Sequence, residues 1–104
     1  MWYSVSLLFR SSGNPAGAGA PLWEESIRLI SADSEAQAME KAKRLGESER
    51  VSYGVSGGTR TWVFSRVERV YAIETDRLDD GVELFSRFLR DSEVVSLLTP
   101  FDDE

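Results

Sequence analysis

Apolar and polar residues alternate from the start of the chain. Tyr3, Val5, Leu7 and Phe9 fall on one side, and Trp2, Ser4, Ser6, Leu8 and Arg10 on the other. A period of two marks a strand with one buried face, and Trp2 and Leu8 indicate that the second face is partly covered. Leu22–Ser31 repeats the pattern, with Trp23, Ile27 and Leu29 on one face and Glu25 among them. Between the two lies Ser11–Pro21, SSGNPAGAGAP. Glycine, alanine, proline and serine build no core here, so 11–21 reads as a flexible loop and the strands as a hairpin with a long connection.

The period then changes. Ala38, Ala42 and Leu45, with Met39 beside them, lie at helical spacing, and Glu40, Lys41, Lys43, Arg44 and Glu47 take the opposite side. Ser34-x-x-Gln37 has the form of a capping box, with Asp33 as an alternative cap, and Gly46 supplies a stop. The spacing predicts a helix over Ala32–Gly46. Val51, Tyr53 and Val55 return to strand alternation, and Ser56–Thr59 is glycine-rich enough for a hairpin turn. Arg60–Ile73 reads as a long strand, with Trp62 and Phe64 sharing a face that Val70 and Ala72 continue. Arg66 and Glu68 break the alternation between them, which predicts a bulge or a strand reaching past its neighbours. Leu78–Gly81 is a further turn, Val82–Leu89 a fifth strand and Asp91–Leu98 a short closing helix, followed by a frayed acidic tail at 99–104.

These elements give a single α+β domain over 1–104. Its order is ββαβββ with a short C-terminal helix, and its sheet is mainly antiparallel, of about five strands with one helix packed on one face. The other face needs a cover, which the C-terminal segment or a second copy would provide.

Composition narrows the chemistry. The chain has 104 residues, no histidine and no cysteine. Disulfides, thiolate nucleophiles, the usual zinc sites and Ser–His–Asp catalysis are therefore ruled out within it. The formal charge is -6. Acidity gathers late: from Glu74 onward ten acidic residues face only Arg77, Arg87 and Arg90. Such a surface repels phosphate backbones, so no nucleic acid is expected as a partner. No apolar run approaches the roughly 20 residues that span a bilayer, so no membrane partner is expected. No basic region followed by an apolar stretch opens the chain, so the expected localisation is cytoplasmic.

Four features bear on chemistry. Gly17-x-Gly19 lacks the third glycine and the following helix of a dinucleotide fingerprint. Asp76–Arg87 places Asp80 and Gly81 as a calcium loop would, but Leu78 and Arg87 occupy positions that need ligands, so no metal and no cofactor are expected. Glu25 sits on an apolar face and needs a cation or a donor. The candidate ligand-binding set is Glu25, Trp23, Trp62, Arg66 and Arg87, with Arg69 another possible partner of the carboxylate. The candidate partner-binding set is Trp2, Leu8, Asp79, Asp80 and Glu83, where an acidic surface would speed association.

The opening Trp2-Tyr3-Ser4, the Glu24-Glu25-Ser26-Ile27 strand, the alanine-rich helix, Trp62-Val63-Phe64, Val70-Tyr71 and the run Asp80–Phe88 together resemble the bacterial family catalogued as domain of unknown function 4288. The resemblance covers roughly Met1 to Leu89. It implies a small bacterial cytoplasmic domain and brings no catalytic residues. The expected function is a non-catalytic protein-interaction domain, self-associating or neutralising a partner as immunity proteins do. The alternative is a small-molecule binder or a carboxylate-dependent enzyme with an aromatic pocket around Glu25.

Overall fold

The computed structural model describes residues 1–12, 22–49, 51–55 and 58–99, with the backbone alone for 12, 51–55 and 58–60. Its elements are β1 (Trp2–Ser12), β2 (Trp23–Ser31), α1 (Glu35–Ser48), β3 (Val51–Val55), β4 (Gly58–Ala72) and α2 (Asp91–Leu98). The fold is α+β. The four strands form one sheet in the order β2-β1-β4-β3, and every neighbouring pair is antiparallel. The two hairpins β1–β2 and β3–β4 are joined through α1, which brings β4 against β1.

The alternation read from β1 sets the layers. Tyr3, Val5, Leu7 and Phe9 are buried with Ile30, Ala32, Ala38 and Ala42, and Leu45, Trp62, Phe64, Val67, Val70 and Ala72 pack against them. This is the face that α1 covers. Phe9 and Phe64 meet edge to face with centroids 5.8 Å apart. The expected bulge is present: the β1–β4 register shifts between Ser6 and Leu7 and again between Leu8 and Phe9. Two shifts let Trp62, Phe64, Val67, Val70 and Ala72 all face the helix, although their spacing in sequence is not a strict alternation.

Helix α1 starts where its cap requires. Ser34 is the N-cap and accepts a bond from the Gln37 N–H at 3.1 Å, while the Gln37 side chain accepts from the Asp33 N–H at 2.6 Å. The helix does not stop at Gly46, as the sequence suggested; it runs to Ser48. Gly46 serves close packing instead. A Cβ there would collide with the Phe64 ring, so the absent side chain is what lets α1 approach β4.

The fifth strand expected at Val82–Leu89 does not form. Residues 82–90 belong to no helix or strand, and the sheet has four strands. Both neighbours of β1 and of β4 are already in place, so no central ladder position is open to it. The expected turn before it does form: the Val82 N–H donates to the Asp79 carbonyl at 3.1 Å, and Gly81 takes a φ of 87°. Of the loop expected at 11–21, Ser11 and Ser12 belong to β1, and the rest lies outside the described residues. The Ser56–Thr59 turn lies partly outside them, since β4 already begins at Gly58, and of the 99–104 tail only Thr99 is described. Helix α2 spans the expected residues but closes nothing. It has no buried residue and packs against no strand or other helix.

Candidate functional site

The second face of the sheet follows from the register. Across β2, β1 and β4 it presents Trp23, Glu25, Ile27 and Leu29; then Trp2, Ser4, Ser6, Leu8 and Arg10; then Val63, Arg66, Arg69 and Tyr71. Among the described residues no helix lies on it. The chain covers one half with the segment 78–85, which acts as a strap. The Tyr71 hydroxyl donates to Glu83 Oε1 at 2.6 Å. The Phe85 ring meets Tyr71 edge to face at 5.6 Å, and the Arg69 guanidinium lies 4.4 Å from the Phe85 centroid. Leu78, Val82 and Leu84 approach the β2 side and, with Ser4, Ile27, Arg28 and Leu29, line a mostly apolar slot of about 280 Å³. Beneath all this Ser4 and Ser6 are buried. Small side chains in the central strand leave room for a layer above them.

The other half of the face is open. Trp23 is 49% exposed, and Ile27 and Leu29, at its border with the strap, are 49% and 44% exposed. Leu8 is half-buried at the centre. The Arg10 guanidinium lies 5.7 Å from the Trp23 ring centroid, a contact that orders both side chains. Glu25 is exposed, and its Oε2 accepts from the Ser6 hydroxyl at 2.5 Å. Its donor is thus a serine on the neighbouring strand. Among the described residues, neither Arg10 nor Arg66 takes part in an ion pair.

The structure brings part of the expected ligand-binding set together. Trp23, Glu25 and Arg66 share the open half, with Leu8 between Glu25 and Arg66 in the register. Trp62 is on the opposite face, packed against the core under α1. Arg87 is exposed in the segment after the strap. Of the expected partner-binding set, Trp2 and Leu8 stand on the second face, and Glu83 holds the strap to Tyr71. Asp79 pairs with Arg77 at 3.2 Å, and Asp80 is exposed in the turn. Sequence reasoning missed Tyr71 and Phe85 as the fastening of the strap. The signal available was an aromatic pair flanking a turn, which reads equally well as two strands. Among the described residues no three acidic side chains converge on a point that would hold a metal ion.

On the α1 side, Arg28 and Glu49 form a two-pronged ion pair at 2.8 and 2.6 Å, tying the C-terminal end of the helix to the edge strand β2. The hydrogen bond to Arg28 holds the Glu49 carboxyl below its usual range, and the same bond raises Arg28.

A family profile described as Domain of unknown function (DUF4288) matches residues 2–86. The chain belongs to this family. The matched span contains the whole sheet, α1 and the strap through Phe85, and it ends before α2. No match is found among curated proteins, nor among solved structures. Among the described residues no helix is long and apolar enough to cross a membrane.

Proposed function

We propose that this DUF4288 domain is a non-catalytic interaction module that binds a protein through the open half of its sheet. The observation that carries the reading is the cluster of Trp23, Ile27 and Leu29, large apolar side chains left about half exposed on one face of an otherwise well-filled sheet. Tryptophan with neighbouring aliphatic residues and arginine is the composition of an interface centre with a polar rim. Arg10, Arg66 and Glu25 supply that rim. Occlusion of a partner, in the manner of immunity proteins, is a form of this function that needs no catalytic group, and the chain has neither imidazole nor thiol.

The test is capture by the immobilised chain, from cell extract and from its own purified solution, against an Ile27→Asp variant. Ile27 is exposed enough for the variant to keep its circular dichroism and melting temperature. Loss of a bound protein in the variant alone supports the reading; equal capture by both forms refutes it.

A second reading has one specific observation in its favour. The slot of about 280 Å³ under the strap is apolar enough to hold a small hydrophobic molecule. Its test is a thermal-shift screen with short aliphatic acids and aromatic compounds, read against Leu84→Asp, which would fill the slot with charge.

A further inference from the structure

Two unpartnered apolar surfaces stand out among the described residues, and their net charges are opposite. The first is the open half of the sheet, where Leu8, Trp23 and Ile27 are flanked by Arg10 and Arg66. The second is the arm that follows the strap. In it Phe88 is fully exposed, and Val94, Val95, Leu97 and Leu98 of α2 are all exposed. Asp91 and Glu93 open α2, and no basic residue follows Arg90 in the sequence. An isolated helix of eight residues is marginal in water, because nucleation costs more than so few hydrogen bonds return. Helix α2 therefore needs a surface to lie on, and its own subunit supplies none: it packs against no strand or other helix.

We infer that α2 docks on the open half of the sheet of a second copy, and that the exchange is reciprocal, giving a two-fold dimer. This rests on the reading of that half as an interface and names its occupant. Charge complementarity favours the pairing: the open half carries Arg10 and Arg66 against Glu25, with neither arginine in an ion pair among the described residues, and the sequence after the strap carries Asp91, Glu93, Asp102, Asp103 and Glu104 against Arg87 and Arg90. The course of the chain favours a second copy over the arm's own sheet. Along the strap Val82 and Leu84 turn toward β2 while Glu83 and Phe85 turn toward β4, and α2 beyond it makes no contact with any strand of its own subunit. From Val82 to Thr99 there is no glycine and no proline to turn it back. The radius of gyration is 16.5 Å, against roughly 13 Å for a compact chain of this length. An arm that reaches outward and a face that receives it, both on one chain, are the elements of an exchanged dimer.

The experiment is sedimentation velocity and light scattering over a concentration series, with the full chain and two variants. Val95→Asp damages the arm and Ile27→Asp damages the face; both residues are exposed in the subunit, so both variants should keep its fold. The expected result is twice the chain mass of 11.7 kDa for the natural sequence. Each variant alone should dimerise at least about tenfold more weakly, the effect of losing one central apolar contact. Mixing the two should restore a heterodimer, because one copy keeps an intact face and the other an intact arm. A natural-sequence monomer at all concentrations overturns the inference, as does a dimer indifferent to Val95→Asp. If Ile27→Asp alone abolishes association, the exchange is wrong and the interface reading stands. If neither variant changes any association, both fail.

Discussion

The two faces of β1 are made by the same eleven residues and have opposite fates. Toward α1, Val5 and Leu7 are 0% exposed and touch a helix that contributes mainly alanine and glycine. Away from it, the same strand presents serine, leucine and arginine to a strap that covers half the surface. The comparison teaches where specificity resides. A face sealed by close backbone approach accepts one neighbour and no substitute. A face sealed by a strap of separate side-chain contacts leaves apolar area over, and that area is available for binding. Predictions that probe this difference range from several kcal/mol on the sealed face to a fraction of one at its edge.

The largest effect is expected at Leu7. Truncation to alanine removes a fully buried side chain between sheet and helix, at a cost of about 2–5 kcal/mol, measured by urea unfolding. Gly46→Val should cost about 1–3 kcal/mol through overpacking, because its Cβ would meet the Phe64 ring and α1 would have to withdraw from β4. Ile27→Asp on the other face should change stability by about 0.5 kcal/mol or less while removing association. If Ile27→Asp unfolds the chain as Leu7→Ala does, the two faces are not different in kind and the contrast is lost.

The strap gives an intermediate effect. Tyr71→Phe deletes the bond to Glu83 but keeps the ring against Phe85. A net loss of about 1 kcal/mol is expected, confined to local opening, so amide hydrogens of 78–85 should exchange faster while those of β1 stay protected. Uniformly faster exchange would show that the strap belongs to the cooperative core.

Much of this was legible in the chain, and the reason is local. The first four strands and α1 were read from side-chain period, and the start of α1 from Ser34 and Gln37, because one face of each element is buried and burial imposes period. The bulge was legible from the intrusion of Arg66 and Glu68. The strap was not. Val82, Leu84 and Phe88 alternate as a strand would, but alternation reports which side chains share a side and is silent on whether the backbone has a ladder to join. Gly46 was misread for a related reason: a glycine after a helical run reads as a stop, and only the position of Phe64 shows it to be a contact. Likewise Trp23 and Trp62 could be grouped in sequence around Glu25, whereas the pairing of β4 with β1 puts Trp62 with Phe64, Val70 and Ala72 on the side under α1.

The smallest effect belongs to the clip between Arg28 and Glu49 at the edge of the sealed face. Both side chains remain about one-third exposed, so solvent screens the pair, and Glu49→Gln should cost about 0.5 kcal/mol or less at neutral pH. Its pH dependence has a definite sign. Glu49 is held below its ordinary value of 4.5 in the folded chain, so the unfolded chain takes up the proton first. The contribution is complete above that ordinary value and is lost as pH falls through the depressed one. The stability difference between the natural chain and Glu49→Gln should therefore be constant from neutral pH to about pH 5 and vanish in more acid solution. Salt should shrink it as well, since the pair is at the surface. Ile27→Asp, on the open face, should leave this acid limb unchanged. A difference that persists after Glu49 has taken up its proton in the folded chain would mean that Glu49 acts through packing of its aliphatic stem. The edge of the sealed face would then be held by the same close contact as its centre.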